Sequence, residues 1–170
     1  MVTIIQAKFE YLNQIYAIIL ELAKYENILD KIKITELQLG ELLFCDEPHH
    51  FIGVALVEEE ICGLVMFNYT QNNICVNVTR GIYIENLYVS PKYRRQGIGC
   101  ALFKYVACKA AAYNCSRIEW WVSRNNREAR HFYKKIGGVA LLDWQIFKCD
   151  QMGINNLLSI GVADEHILFE

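Results

Sequence analysis

The sequence predicts an α/β domain with a mixed, mostly antiparallel central sheet of about six to seven strands, flanked by helices. Three observations carry this expectation. Two β-branched runs, Phe51 to Val57 and Ile61 to Tyr69, surround the acidic turn Glu58-Glu59-Glu60 and read as a hairpin. Helical patterns precede that hairpin. Strand and helix patterns then alternate through the second half, which reads as βαβ units.

Each element has its own signal. Val2 to Lys8 reads as a first strand. Tyr11 to Tyr25 carries apolar residues at Leu12, Ile15, Ile18, Ile19 and Leu22, the stripe of a helix that buries one face. Thr35 is placed to cap a second helix through Leu43. Cys45 to His50 is a polar loop before the hairpin. Asn72-Asn73 makes a turn, and Ile82 to Val89 is the next strand. An Ala-rich helix runs from Gly97 to about Ala112. Arg117 to Val122 is a strand, and Asn126 to Ile136 is a helix ended by Gly137-Gly138. Ala140 to Leu142 and Trp144 to Cys149 are short strand candidates. The last twenty residues are weakly patterned. The expected order is β-α-α-β-β-β-α-β-α-β.

Composition excludes several function classes. At 170 residues the chain is most simply one domain with a real core. Hydrophobic residues make up 54% and charged residues 21%, which is a globular balance. A net charge of −2 makes no electrostatic case for nucleic acid and is compatible with cationic substrates. The seven cysteines, at 45, 62, 75, 100, 108, 115 and 149, form no CxxC pair. Free thiols in a reducing, cytoplasmic compartment are expected. No apolar run approaches membrane-spanning length, and no basic-then-apolar leader opens the chain. Repeats, low-complexity tracts and linkers are absent, and only Pro48 and Pro91 punctuate the sequence.

Residues 93–99, Tyr-Arg-Arg-Gln-Gly-Ile-Gly, stand between the strand ending at Val89 and the Ala-rich helix, after the turn Ser90-Pro91-Lys92. A helix N-terminus presents free backbone N–H groups and a positive dipole end. Glycines let a diphosphate approach them, and Arg94 and Arg95 add charge and donors. Position 102 is Leu, so a dinucleotide fingerprint is not met, and the Gly-Lys-Ser/Thr of a Walker A loop is missing. The bland alternative is a helix start with packing glycines and solvated arginines.

A second segment, residues 125–138, reads Asn-Asn-Arg-Glu-Ala-Arg-His-Phe-Tyr-Lys-Lys-Ile-Gly-Gly. Arg94-x-x-Gly97-x-Gly99 followed by Asn126-x-x-Ala129-x-x-Phe132-Tyr133 resembles the GCN5-related N-acetyltransferase (GNAT) superfamily, over roughly Val2 to Cys149. Glu21-Leu-Ala-Lys-Tyr-Glu26, Ile84-Glu85-Asn86-Leu87-Tyr88-Val89 and Trp144-Gln145-Ile146-Phe147-Lys148 narrow the match. They are similar to the diamine (spermidine/spermine) acetyltransferases and their thialysine-acetylating relatives.

The resemblance implies the acyl-CoA N-acyltransferase fold, with residues 1–150 as the acetyltransferase domain and 151–170 as its C-terminal extension. It implies acetyl-CoA as co-substrate, bound by Leu87, Tyr88, Val89, Arg94, Arg95, Gln96, Gly97, Ile98, Gly99, Cys100, Asn126, Ala129 and Tyr133. Tyr133 matches the family's general acid. A phenol with a pKa near 10 is protonated at neutral pH and can donate to a departing thiolate. The bland alternative makes Phe132 and Tyr133 packing residues. Glu85, a carboxylate inside an otherwise apolar strand, is the candidate for deprotonating the amine, directly or through water. Its alternative is a solvated strand face.

Tyr25, Glu26, Glu85 and Asn86 match positions lining the family's amine site. At Asn86 the polyamine enzymes usually carry an aspartate. The amide keeps hydrogen bonding but loses a charge, which weakens the case for a long polyamine. Asp143 beside Trp144 is a further, weaker carboxylate. The four histidines, at 49, 50, 131 and 166, form no ligand pattern, so neither a histidine site nor a metal is expected. Cys100 reads as a small packing residue.

The expected reaction is direct transfer, in a ternary complex, to a primary amine of a polyamine, diamine or lysine-like amino acid. A protein N-terminus, protein lysine or aminoglycoside is the alternative acceptor, and a non-catalytic acyl-CoA-binding module is the alternative class. A homodimer is implied by the family, with no membrane or nucleic-acid partner.

Overall fold

The computed structural model describes residues 1–71 and 79–159. The turn expected at Asn72-Asn73 and the end of the C-terminal extension lie outside the described residues. The chain divides into two compact units, Met1–Arg130 and His131–Glu170.

The first unit holds a five-stranded sheet in the order β1-β2-β3-β4-β5. Its strands are β1 Val2–Gln6, β2 Phe51–Val57, β3 Glu60–Thr70, β4 Gly81–Val89 and β5 Arg117–Trp120. The first four pair antiparallel with their neighbours, and β5 joins β4 in parallel. The hairpin β2–β3 turns at Glu58 and Glu59, both in left-handed backbone (φ 50° and 69°). The acidic turn is where the sequence puts it.

Helix α1, Leu12–Tyr25, buries the predicted stripe at Leu12, Ile15, Ile18 and Leu22. Helix α2, Glu36–Leu43, starts from a reciprocal cap: Gln38 N–H donates to Thr35 Oγ1 (3.3 Å) and Thr35 N–H to Gln38 Oε1 (3.0 Å). Both helices lie over one face of the sheet, where their apolar residues join Ile52, Val54, Leu56, Leu64, Met66 and Tyr88 in one cluster. Each fully buried side chain there contributes about 1.5–3 kcal/mol.

The opposite face takes helix α3, Ile98–Ala112, whose Leu102 and Val106 are fully buried. Gly53 lets that helix come close, because a Cβ there would sit 2.6 Å from a Tyr105 ring carbon. Strands β2 and β3 are therefore apolar on both sides. That is why they read as continuous hydrophobic runs rather than as an alternation.

Helix α4 is Arg127–Lys135 and is followed by Gly137 in left-handed backbone (φ 92°). In the second unit, helix α5, Gln151–Ser159, forms where the sequence pattern is weak. The two strands expected at Ala140–Leu142 and Trp144–Cys149 do not form, so the described sheet has five strands rather than six or seven. The physical reason is pairing. Alternating apolar residues make a strand only when another strand completes their hydrogen bonds. Here Leu142 is 83% and Phe147 88% exposed, and neither has a sheet neighbour among the described residues.

Candidate active site

The register of β4 against β3 contains a break. Met66 faces Asn86, but Phe67 faces Ile84, so Glu85 is an extra residue with no partner across the pair. A β-bulge of this kind turns the side chains on either side of it. In a regular strand Glu85 and Asn86 would point to opposite faces. Here the Glu85 carboxylate accepts from Asn68 Nδ2 (3.1 Å), and Asn86 Nδ2 lies 3.9 Å from Met66 Sδ. Met66 and Asn68 share one face of β3, the face under α1. Two residues singled out for the amine site are therefore brought side by side.

The bulge coincides with a parting of strands. β5 pairs with β4 only from Gly81 to Ile84, whereas β4 runs on to Val89. On their other side, Leu87, Tyr88 and Val89 pair with Val65, Leu64 and Gly63 of β3. Their backbone groups facing away from β3 meet no strand among the described residues. An unpaired strand edge can hydrogen-bond an extended, amide-bearing chain.

That edge leads into the glycine loop. After Val89 the chain makes a short 3-10 turn, Pro91–Tyr93, with Tyr93 N–H donating to Ser90 O (2.8 Å). Arg95 and Gly97 both take left-handed backbone, φ 61° and 82°. Such alternation turns successive N–H groups toward a common point, an anion-binding concavity. Gly97 then starts α3 with no side-chain cap, leaving the first-turn N–H groups of Ile98, Gly99 and Cys100 available. Gln96 reaches back to Lys92 O (3.4 Å).

The two arginines separate in role. Arg95 is exposed, whereas Arg94 is partly buried. Arg94 Nε donates to Val89 O (2.9 Å), and its guanidinium lies over the rings of Tyr25 (4.7 Å) and Tyr88 (5.4 Å). Tyr25 and Tyr88 are themselves 6.0 Å apart. Nearby, Ser90 Oγ donates to Glu21 Oε2 (2.7 Å). Burial, then the Glu21 charge, pushes the Tyr88 phenol upward. Arg94 thus ties the end of α1 to the root of the loop, a packing role that sequence reading missed. Glu26 caps α1, and its side chain is exposed at the helix end.

At the second motif, Asn126 Oδ1 accepts from Ala129 N–H (3.0 Å), so this pair caps α4. The Tyr133 ring lies 5.4 Å from Phe132, and Gly138 N–H donates to Tyr133 O (2.8 Å). Tyr133 belongs to the second unit, and Glu85 to the first.

Sequence reading also missed a histidine. His50 Nδ1 lies 2.8 Å from Glu85 Oε1, the same oxygen that Asn68 holds. A carboxylate only accepts, so His50 carries its proton on Nδ1 in this contact. Simple counting does not show it. Counting back from the hairpin turn pairs Phe51 with Met66, and a register shift between Ala55 and Leu56 moves the partner to Phe67, which puts His50 beside Asn68. The bulge that delivers Glu85 to the same row has no sequence signature. Among the described residues Asn68 Oδ1 is buried without a partner, an arrangement that costs about 1–3 kcal/mol. Turning the amide would aim that oxygen at a carboxylate instead, so Glu85 sets its orientation. Burial and then the Glu85 charge also raise the Tyr83 phenol. Among the described residues no group of His, Cys, Asp and Glu is placed to hold a metal.

Comparison with known proteins gives the family and the fold. The family model described as "Acetyltransferase (GNAT) family" matches residues 13–138. The chain belongs to the GNAT acetyltransferase family. Thialysine N-epsilon-acetyltransferase of Bos taurus is 32% identical, over 92% of this chain and 96% of that protein. An integron cassette protein from the mobile metagenome of V. cholerae shares the fold, at a TM-score of 0.78 and 24% identity, over 94% of this chain and 98% of that one. So does an aminoglycoside N-acetyltransferase solved in complex with CoA, at a TM-score of 0.72 and 17% identity, over 89% and 95%. This GNAT protein is accordingly an N-acetyltransferase. Among the described residues no helix is long and apolar enough to cross a membrane.

Proposed function

We propose that this enzyme moves an acetyl group from acetyl-CoA to the primary amine of a small molecule, in the class of lysine-like amino acids, diamines and polyamines. The observation that carries the reading is the placement of Glu85. It is the carboxylate turned out by the bulge where β4 parts from β5, on the strand that continues into the glycine loop. The name of the bovine relative, thialysine N-epsilon-acetyltransferase, supports the acceptor class. The CoA complex of a fold neighbour supports the donor.

The residues present fit such a donor. The N–H groups of Arg95 to Cys100 and the Arg95 side chain would hold its diphosphate. The open edge of Leu87 to Val89 would pair with the amides of the pantetheine arm. Acetyl-CoA supplies an activated thioester, so no covalent enzyme intermediate is required. Glu85 takes a proton from the bound ammonium, directly or through one water. The free amine forms the new C–N bond as the C–S bond breaks. A backbone N–H of Leu87 to Val89 steadies the developing oxyanion. Tyr133 gives its phenolic proton to the departing thiolate. The amine site near Glu85 carries the neutral Asn86 and Asn68, so it favours one ammonium over a long polycation.

The test is thiol release from acetyl-CoA with putrescine, spermidine, spermine, lysine, thialysine, an aminoglycoside and a peptide, with Tyr133→Phe alongside. Fast turnover with thialysine or lysine, exceeding spermine and lost in the variant, is expected. Silence with all small amines while acetyl-CoA still binds would overturn the small-amine reading in favour of a protein acceptor or a non-catalytic binder.

A further inference from the structure

We propose that His50 is a positioning residue for the reaction, holding the Glu85 carboxylate in the orientation from which it accepts the amine proton. The inference rests on the reading of Glu85 as the proton acceptor and goes beyond it to a side chain that no sequence motif marks.

The argument starts from the sheet. β2 and β4 are not neighbours, because β3 lies between them. His50 immediately precedes β2, next to the Phe51–Phe67 pair, and so lies alongside Asn68 of β3. Asn68 is opposite Tyr83, and the bulge sets Glu85 just beyond. His50, Asn68 and Glu85 therefore form a row across three strands on one face. The contacts close that row, His50 Nδ1 to Glu85 Oε1 at 2.8 Å and Asn68 Nδ2 to the same oxygen at 3.1 Å.

Both donors fall on Oε1, and among the described residues none falls on Oε2. A general base needs a fixed direction and an uncommitted lone pair. Two donors on one oxygen supply the direction and leave the other oxygen for the substrate. Glu85 sits on an extra residue of its strand, where the regular ladder does not hold the backbone as firmly. Side-chain bonds must do that work. Asn68 alone holds Oε1 from one direction, which leaves that atom free to swing. His50 holds the same oxygen from a second direction and a different strand, which fixes its position. It is also partly exposed, so its ring can be replaced without opening a core cavity.

The experiment is steady-state kinetics of the full chain with acetyl-CoA and thialysine, for His50→Ala, His50→Asn, Glu85→Gln and the double variant His50→Ala/Glu85→Gln. Removing a general base typically lowers kcat by about 10²–10⁴-fold, which is the expectation for Glu85→Gln. His50→Ala is expected to lower kcat by about 10–100-fold, with KM for acetyl-CoA and the melting temperature unchanged. His50→Asn, whose Nδ2 can stand where the ring Nδ1 stands, should recover activity to within about threefold. In the Glu85→Gln background, loss of His50 should add nothing further.

A kcat for His50→Ala equal to that of the unaltered enzyme, with Glu85→Gln impaired, would refute the positioning role and leave Glu85 as the base. An effect of His50→Ala that multiplies with that of Glu85→Gln, or that asparagine fails to rescue, would refute action through Glu85. Full activity in Glu85→Gln would overturn the reading of Glu85 itself, and the role of His50 with it.

Discussion

Replacing Arg94 separates a packing role from a ligand role at the glycine loop. Its guanidinium makes a charge-assisted hydrogen bond to Val89 O at 2.9 Å, within a partly buried setting. Such a bond is worth about 1.5–3 kcal/mol. It also lies 4.7 Å and 5.4 Å from the centres of two tyrosine rings, each contact worth about 0.5–1 kcal/mol. Allowing for overlap between contacts of one group, Arg94→Ala should destabilise the folded chain by about 2–4 kcal/mol. For a chain of this size 1 kcal/mol moves Tm by about 2–4 °C, so a drop of roughly 5–10 °C is expected. Arg95 is the control. It is exposed in left-handed backbone at φ 61°, where a side chain is strained by roughly 1–2 kcal/mol. Arg95→Gly relieves that strain and should melt at or slightly above the unaltered protein, while raising KM for acetyl-CoA. Thermal unfolding of both variants, followed by circular dichroism, decides. An Arg94→Ala protein melting within about 1 °C of the unaltered chain would refute the bracing role and return Arg94 to the solvent.

Two further outcomes follow from the fold. Gly53→Ala brings a Cβ within 2.6 and 2.7 Å of the Tyr105 ring and 3.2 Å of Val65 Cγ1. Overpacking of this sort should destabilise by about 1–3 kcal/mol, read from urea unfolding, and Gly53→Ala at full stability would contradict the close approach of α3. Tyr69 is pushed from 10 up to about 12, first by burial and then by the neighbouring Tyr113. The folded chain therefore keeps its proton while the unfolded chain loses it. Stability from this group is complete below pH 10 and is lost as pH rises from 10 towards 12. Unfolding midpoints across that window should fall more steeply in the unaltered chain than in Tyr69→Phe, and equal slopes would contradict the placement of Tyr69.

Much of this architecture is legible residue by residue. The stripe on α1, the Thr35 cap, the acidic hairpin turn and the glycine start of α3 are local, and local chemistry writes them into neighbouring residues. Glu85 is legible as a charge in an apolar strand. Residues 140–149 mislead because they alternate like strands, yet alternation specifies a face and not a partner. The histidines mislead in the opposite direction. His50 belongs to no motif, and its meaning comes from a strand two places away.

The sequence by itself determined most elements up to residue 136, the family, and the titratable residue types from which acid–base chemistry is proposed. Periodicity, caps and turns act over a few residues, and the two motifs are contiguous. Only the tertiary structure decided how those residues are aimed. The extra residue in β4 puts Glu85 and Asn86 on one face, and the parting of β5 opens the strand edge beside them. Register across three strands delivers His50 and Asn68 to the same carboxylate oxygen. Arg94 turns inward onto two tyrosines while Arg95 stays outside. Each of these depends on backbone pairing and packing between segments distant in the chain, whose free energy is a property of the assembled sheet rather than of any single segment.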